Sequence, residues 1–192
     1  MLTGCVVAYV GVRSGSTRVP SKNSRPFTYD RASGEALSLL DLKLRTLARV
    51  PSVDAVVVSS DSEEMLAVAA RYAHVTPLRR DPYYASSTVP VAEFFRHMAR
   101  EVRAFNATTV LWAPVTAPML GADDYERLVA THRGASTDEY DSVGIVLEHL
   151  GHFWFEGAAR PRPSLACGRL RPRAVPVPCT GSRLPGRGRL AR

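Results

Sequence analysis

A loop rich in glycine and hydroxyl side chains follows the first apolar run of the chain. The run CVVAYV leads directly into GVRSGSTRVPSKN, residues 11–23. Gly11 and Gly15 can adopt positive φ and allow a ligand to approach the backbone closely. Ser14 and Ser16 supply hydroxyls, and the consecutive amides of such a loop can surround an anion. The pattern therefore predicts a cradle for phosphate groups.

Positive charge in the same loop fits this chemistry. Arg13, Arg18 and Lys22 could neutralise a polyphosphate, and an arginine can bind two phosphate oxygens at once. Neither GxxxxGK(S/T) nor GxGxxG occurs in the loop. Loops of this composition are also common as plain surface turns, so a turn without a ligand is the alternative to a polyphosphate site.

Acidic residues cluster at the starts of two predicted helices. The first cluster is Asp61, Glu63 and Glu64, and the second is Asp123 and Asp124. Carboxylates in the first turn of a helix interact favourably with its dipole and with its exposed amides. We therefore interpret both clusters as helix caps rather than metal ligands.

Histidine and cysteine form no recognisable metal-binding pattern. His97 and His132 lie on predicted helices without a His or carboxylate partner at ligand spacing. Cys5, Cys167 and Cys179 include neither a CxxC pair nor a Cys/His spacing typical of zinc. The sequence predicts no metal site from these residues.

Apolar periodicity predicts strands that alternate with helices. Runs rich in β-branched residues, typical of strands, occupy residues 5–10, 55–60, 108–113 and 141–147. Segments with apolar residues three and four positions apart, typical of helices, occupy residues 38–49, 62–73, 91–105 and 122–133. Ser60 and Glu63 have the S-x-x-E spacing of a capping box at the second helix.

This alternation predicts the fold class. Repeated strand and helix units favour an α/β protein with an open, mostly parallel sheet and helices on both faces. The first three strands lack polar alternation, so we expect them in the centre of the sheet. Ligands of such sheets bind beyond the carboxyl ends of the strands, which is where residues 11–23 are expected.

The net charge of +7 belongs to the C-terminal part of the chain. Residues 1–150 hold 16 Lys and Arg against 17 Asp and Glu, whereas residues 151–192 hold nine Arg against one Glu. Residues 157–192 are rich in Pro, Gly and Arg and contain no carboxylate and no aromatic side chain. We predict a domain over residues 1–156 and a disordered tail over 157–192. A shifted reading frame and a basic arm for polyanions are both open explanations of the tail.

Location and partners follow from the same composition. No apolar run approaches the roughly 18 residues of a membrane span, and no basic segment precedes the N-terminal apolar run. We therefore expect a cytoplasmic protein without membrane contact. Because the excess positive charge lies in the tail, we expect no nucleic acid as a partner of the domain.

Several segments together resemble a known enzyme family. The string V-x-x-R-S-G-S-x-R-x-P-x-K-N-x-R-P-F, from Val10 to Phe27, resembles the N-terminal signature of the acylneuraminate (CMP-sialic acid) cytidylyltransferases and their CMP-ulosonate relatives. Segments similar to further motifs of the family follow in the same order: VVVSSDSEEMLAVAARYA (56–73), RRDPYYASST (79–88), TAPML (116–120) and DSVGIV (141–146). The resemblance covers about residues 5–156.

The resemblance implies a Rossmann-like fold of the nucleotide-diphospho-sugar transferase type. It also implies an enzyme that activates a 2-keto sugar acid, such as sialic acid or a related ulosonic acid, with CTP to give the CMP-sugar and pyrophosphate. In the family the anomeric hydroxyl of the sugar attacks the α-phosphate, and Mg²⁺ helps to neutralise the developing charge. Family members are homodimers.

The resemblance implies roles for single residues of the loop. Arg13 and Lys22 are expected to hold the triphosphate, and Ser14, Gly15 and Ser16 to form the backbone cradle beneath it. The loop is therefore the centre of the expected catalytic site.

A second group is expected at the nucleoside. By the same resemblance, Asn23 faces the nucleoside, and Arg80 with Ser86 and Ser87 closes over the cytosine. The alternatives are a turn cap for Asn23, a solvated charge for Arg80 and a helix N-cap for residues 86–88.

The sequence departs from the family pattern in two places. The family's glutamine before its P-T-S-P motif has no counterpart near Ala113, Pro114 and Val115. The family's magnesium-binding carboxylates, its dimerisation segment and much of its sugar-acid pocket lie downstream of the region matched by GHFWFEG (151–157), where this chain carries the carboxylate-free tail. We therefore expect weak or no synthetase activity from the chain as written. A truncated or frame-shifted relative that at most binds nucleotide is the alternative to an active enzyme.

Overall fold

The computed structural model describes residues 4–15, 19–135, 140–148 and 171–178. In chain order the elements are β1 (Cys5–Gly11), β2 (Pro26–Tyr29), β3 (Ala36–Ser38), α1 (Leu39–Leu47), β4 (Ala55–Ser60), α2 (Glu63–Ala70), β5 (Val75–Arg79), α3 (Pro82–Ala85), α4 (Val91–Arg103), β6 (Ala107–Trp112), α5 (Ala122–Gly134), β7 (Tyr140–Glu148) and β8 (Arg171–Pro178). None of the described helices has both the length and the apolar character that a bilayer span requires.

The main sheet has four parallel strands in the order β5-β4-β1-β6. The predicted α/β class and parallel sheet are confirmed. The crossover from β1 to its neighbour β4 contains the antiparallel pair of β2 and β3, followed by α1. Because all four strands run the same way, their carboxyl ends meet at one edge of the sheet.

The core lies around the two central strands. Val7 and Tyr9 of β1 and Val57 of β4 are completely buried, and they pack with Met98 and Val102 of α4. Burial of each such apolar side chain contributes roughly 1.5–3 kcal/mol. This packing supports the sheet directly beneath the edge at which the loop of residues 11–23 begins.

The two outer strands differ from the sequence-based expectation. The sequence does not predict β5, because Pro77 interrupts its short apolar run. A proline lacks the amide donor of a sheet ladder and is therefore tolerated in an edge strand. Residues 108–113 are expected in the centre, but β6 lies at the opposite edge among the described residues, with Thr108 and Trp112 exposed. That expectation is wrong for β6.

The predicted capping box at α2 is also wrong. The N-cap is Ser62, whose hydroxyl accepts the amide of Met65, whereas Ser60 is buried and accepts the amide of Ser62. A capping box does exist at α1, where Ser38 and Asp41 exchange hydrogen bonds between side chain and backbone. The S-x-x-D spacing at that position is the sequence signal for it.

The chain divides into two compact units, Met1–Glu126 and Arg127–Arg192. In the second unit, β7 confirms the strand predicted at 141–147 and pairs antiparallel with β8. Residues 171–178 belong to the segment for which the sequence predicts disorder, yet they form a strand. The other residues of 157–192 lie outside the described residues, and the domain boundary after residue 156 stays a prediction.

A buried lysine joins α1 to the segment that follows β6. Lys43 is 1% exposed, and its ammonium donates to the carbonyl of Ala117 at 2.9 Å and to the hydroxyl of Tyr125 at 2.5 Å. Burial lowers the pKa of Lys43 to about 8. The lysine therefore fixes the segment after β6. Removal of its charged ammonium from water costs free energy.

This burial predicts a pH dependence of stability. Since the pKa of Lys43 falls from 10.5 to about 8 on folding, the unfolded chain binds more protons between these values, and the free energy of unfolding rises with pH in that window. Relative to a Lys43→Met variant, the wild type should gain about 2 kcal/mol between pH 7 and pH 10. Urea unfolding of both proteins at several pH values measures this gain, and parallel pH curves would contradict it.

Candidate functional site

A cavity of about 800 Å³ lies beyond the carboxyl ends of β1 and β6. This volume is in the range of small-molecule sites. Its lining comes from the loop after β1, the segment from the end of β5 through α3, the start of α4, and the end of β6 with the residues that follow. The lining residues are Gly11–Arg13, Val19, Lys22, Asn23, Arg80, Tyr84–Ser86, Val89, Val91, Phe94, Phe95, Trp112 and Pro114–Thr116. The cavity is therefore at the place where an open α/β sheet binds its ligands.

The two predicted triphosphate residues both line this cavity. Arg13 and Lys22 are each half-buried. The guanidinium Nη1 of Arg13 donates to the carbonyl of Ala85 at 3.2 Å and so joins the loop to α3. A guanidinium has five N–H donors, so this bond leaves others for an anion. Positive charge is thus directed into the cavity from the loop after β1.

The residues predicted to form the phosphate cradle, unlike Arg13 and Lys22, are not found in the described lining of the cavity. Ser14 and Gly15 are exposed, Gly15 has a φ of +68°, and neither belongs to the described lining of the cavity. Ser14 donates from its amide to Asp61 Oδ1 at 2.9 Å and from its hydroxyl to Asp61 Oδ2. Ser16 lies outside the described residues.

Asp61 therefore differs from the expected helix cap. Burial acts to raise the pKa of Asp61, but the hydrogen bonds from Ser14, together with a backbone hydrogen bond and the charge of Arg80, hold the pKa below its ordinary value. The ionised carboxylate ties the loop after β1 to the end of β4. Glu63 and Glu64 do lie in the first turn of α2, and Asp124 accepts the amide of Gly121 at the start of α5, as expected for caps.

Arg80 is buried under the cavity. It is 4% exposed, so the alternative of a solvated charge is wrong. Its Nη2 donates to the carbonyl of Val12 and, at 2.9 Å, to the carbonyl of Ser59. Burial lowers the pKa of Arg80, while Tyr9 and Glu101 act in the opposite direction. The side chain predicted to close over the cytosine thus also joins the carboxyl ends of β1 and β4.

Asn23 is buried as well, with 6% of its surface exposed. Its backbone carbonyl accepts the amide of Leu40 at the start of α1, at 3.2 Å. Within the described part of the chain, the side-chain Oδ1 of Asn23 and the Nε of Arg80 are buried polar atoms without a hydrogen-bond partner. Both residues line the cavity, so a hydrogen-bond acceptor and a donor are buried at its wall.

The serine pair divides between the cavity and the solvent. Ser86 lines the cavity, and its hydroxyl pairs with the hydroxyl of Thr88 at 2.7 Å and accepts the Thr88 amide. Ser87 is exposed and is absent from the described lining. The N-cap of α4 is Pro90, which provides no side-chain hydrogen bond, so the helix-cap alternative for residues 86–88 is wrong.

A polar network that the sequence does not predict lies below the cavity. Glu101 of α4 accepts the hydroxyl of Tyr9 at 2.6 Å and the hydroxyl of Ser59 at 3.0 Å. Its Oε1 also lies 3.3 Å from Nε2 of His97, one helical turn away. The expectation that His97 has no carboxylate partner is therefore wrong, and the i, i+4 spacing of the two residues is the signal for it. Tyr84 of α3 stacks on His97 with ring centroids 3.9 Å apart.

The described residues do not offer a fitting magnesium site. Among them, no group of three His, Cys, Asp or Glu side chains could hold a metal ion, and the described lining of the cavity contains no carboxylate. The magnesium that the resemblance implies stays a prediction.

Comparison with known proteins supports the resemblance. No protein-family model matches the chain. The chain is 30% identical over 118 residues to the pseudaminic acid cytidylyltransferase of Campylobacter jejuni subsp. jejuni serotype O:2, a match that covers 59% of this chain and 47% of that protein. The chain thus spans about half the length of this curated relative. The resemblance to the CMP-ulosonate synthetases that the sequence motifs indicate is confirmed.

Solved structures share the fold. One is CMP:2-keto-3-deoxy-manno-octonic acid synthetase complexed with CTP, with 16% identity, a TM-score of 0.54, and coverage of 77% of this chain and 61% of that one. Another is 4-diphosphocytidyl-2C-methyl-D-erythritol synthase, with 17% identity, a TM-score of 0.55, and coverage of 92% and 75%. At these identities the similarity shows the fold alone.

The position of Arg80 predicts a large effect of a charge-conserving substitution. Arg80→Lys keeps the charge but loses the planar fork that reaches the carbonyls of Val12 and Ser59. We expect Arg80→Lys to lower the free energy of unfolding by about 1–3 kcal/mol, because a buried carbonyl is left unpaired. The matched control is its neighbour Arg79, whose side chain is 65% exposed and pairs with the exposed Glu63. Arg79→Lys should lower the free energy of unfolding by less than about 1 kcal/mol. Equal urea midpoints for the two variants would show that the Arg80 contacts do not stabilise the fold.

Proposed function

We propose that the chain binds CTP and transfers its CMP group to a 2-keto sugar acid of the ulosonic class, with release of pyrophosphate. The observation that carries this proposal is the convergence of Arg13, Lys22, Asn23 and Arg80 on one cavity beyond the carboxyl ends of the strands. The similarity to a pseudaminic acid cytidylyltransferase supports CTP and an ulosonic acid as the substrates.

The basic side of the cavity suits a triphosphate. Arg13 and Lys22 lie on the loop after β1, and the described lining holds no carboxylate that would oppose them. Hydrogen bonds between such cations and phosphate oxygens are stronger than neutral ones. The carboxylate of Asp61 holds Ser14 outside the cavity lining, so the proposed phosphate contacts come first from Arg13 and Lys22.

The buried acceptor and donor suit a pyrimidine base. Asn23 Oδ1 and Arg80 Nε have no partner among the described residues, and each unpaired buried group costs about 1–3 kcal/mol. Cytosine presents an exocyclic amine that donates and a ring carbonyl that accepts. A base that pairs with both atoms would recover this cost, and this gain supports the predicted nucleoside role of the two residues.

The proposed reaction is a substitution at the α-phosphorus. The anomeric hydroxyl oxygen of the sugar acid forms the new bond to phosphorus and loses its proton to solvent. The bond from phosphorus to the bridging oxygen breaks, and pyrophosphate leaves with the electron pair. Arg13 and Lys22 would stabilise the negative charge that grows on the leaving group. The protein then contributes positioning and electrostatic stabilisation, without a covalent intermediate.

The triphosphate role of Arg13 predicts a defined loss of affinity. Arg13→Ala should weaken CTP binding by about 1.5–3 kcal/mol, the usual contribution of a hydrogen bond to a charged group. Isothermal titration calorimetry with the full chain measures this difference. Arg49→Ala is the matched control, because it removes the same charge from an exposed position next to α1 and outside the described lining. Equal affinities of wild type and Arg13→Ala would remove Arg13 from the site.

Turnover separates an enzyme from a protein that merely binds nucleotide. With CTP, an ulosonic acid and magnesium chloride, an active chain should release pyrophosphate and form CMP-sugar in equal amounts. Because the chain carries a carboxylate-free tail where the resemblance places the family's magnesium-binding carboxylates, we expect a rate far below the typical 10 per second. CTP binding without any pyrophosphate release would contradict the transferase proposal. It would favour the alternative of a truncated or frame-shifted relative that at most binds nucleotide.

A further inference from the structure

The short helix α3 holds the guanidinium of Arg13. The carbonyl of Ala85, its last residue, accepts Nη1 of Arg13 at 3.2 Å. Two backbone hydrogen bonds, donated by the amides of Tyr84 and Ser86, close the single turn of this helix. One turn is not stable by itself. The position of the carbonyl that holds Arg13 therefore depends on what α3 packs against.

Helix α3 packs on α4 through a pair of stacked rings. Tyr84 lies on the imidazole of His97, with ring centroids 3.9 Å apart and planes within 6° of parallel. The side chain of His97 is 14% exposed and Tyr84 is half-buried, so this contact is largely removed from water. A second bond between the helices, from the hydroxyl of Tyr83 to Glu93 at 2.9 Å, is exposed, and water competes for it. The stack is thus the more sheltered of the two contacts.

His97 is itself placed from the centre of the sheet. Glu101, one turn further along α4, accepts the hydroxyls of Tyr9 in β1 and Ser59 in β4. Its Oε1 lies 3.3 Å from Nε2 of His97, which is an ion-pair distance, although the two atoms do not form a hydrogen bond. These contacts hold α4 against the two central strands at the turn that carries His97. The imidazole therefore has a defined position relative to the sheet.

A continuous series of contacts connects this network to Arg13. It runs from His97 across the stack to Tyr84, and along the backbone of α3 to the carbonyl of Ala85. An arginine side chain loses much conformational freedom when its guanidinium is fixed. A guanidinium that is already held before the ligand arrives pays less of this cost on binding, and the affinity is higher.

We propose that His97 and Tyr84 are positioning residues, which hold the Ala85 carbonyl so that the guanidinium of Arg13 is oriented for the triphosphate before CTP binds. This inference rests on the proposed role of Arg13 in CTP binding. His97 does not belong to the described lining of the cavity, so its effect on the nucleotide passes through α3.

Ring substitutions at His97 test the stack by CTP calorimetry on the full chain. His97→Gln keeps a polar side chain but removes the ring, and it should weaken CTP binding about 3- to 10-fold, the loss that corresponds to one aromatic pair. His97→Phe returns a planar ring and should bind CTP within about twofold of wild type. The matched control is His132→Gln, at a half-buried histidine of α5 outside the described lining, which should leave the affinity unchanged.

A double-variant cycle assigns the effect to Arg13. In an Arg13→Ala background, His97→Gln should weaken CTP binding by less than about twofold, because the guanidinium that the stack positions is gone. Far-ultraviolet circular dichroism checks folding. If His97→Gln does not fold, Tyr84→Leu takes its place, with the same expected loss and the same dependence on Arg13.

Three results would overturn the inference alone. They are an unchanged affinity after removal of the ring, a loss that His97→Phe does not restore, and a loss that is equally large with and without Arg13. The last result would also follow if Tyr84 acted only by touching the nucleotide directly. Absence of CTP binding to the wild type is a separate result, which would overturn the proposed function and this inference together.

Discussion

The buried guanidinium of Arg80 is the interaction on which the site depends. Arg80 binds the carbonyl of Val12, just after β1, and also the carbonyl of Ser59, which accepts the amide of Val12 as well. Bonds between a charged donor and buried carbonyls are strong, and removing the donor would take this partner from the buried Val12. These bonds therefore fix the direction in which the loop after β1 leaves the sheet, immediately before Arg13, the first basic residue of the loop.

A second charge, on a side chain that is 12% exposed, complements this arrangement. Glu101 accepts hydroxyl hydrogen bonds from Tyr9 and Ser59 and so connects α4 to both central strands. Burial, together with the bond to Glu101, raises the pKa of Tyr9 above its ordinary value, so the phenol stays a donor. Arg80 and Glu101 thus carry opposite charges near the carboxyl ends of β1 and β4, and the hydrogen bonds to the Glu101 carboxylate make its partial burial tolerable. Helix α4 is held against the sheet, and its aromatic residues face the cavity.

The resulting cavity has a basic side and an apolar side. Arg13 and Lys22 belong to the loop after β1, whereas Phe95 and Trp112 belong to α4 and β6. Sites that combine an anion-binding loop with a rigid apolar wall can hold a charged donor and orient a second molecule beside it. The division agrees with the proposed transfer between a nucleotide and a sugar acid.

The sequence by itself determined the α/β class, the two central strands, the main helices and the basic loop, because these depend on local periodicity and on residue types adjacent in the chain. It did not determine which polar groups are buried. Arg80 looks like its exposed neighbour Arg79, and Asp61 looks like a helix cap, until the order β5-β4-β1-β6 brings Arg80 under Val12 and Asp61 beside Ser14. Burial and hydrogen-bond partners arise from contacts between residues about 50 to 70 positions apart, and these exist only once the sheet has formed.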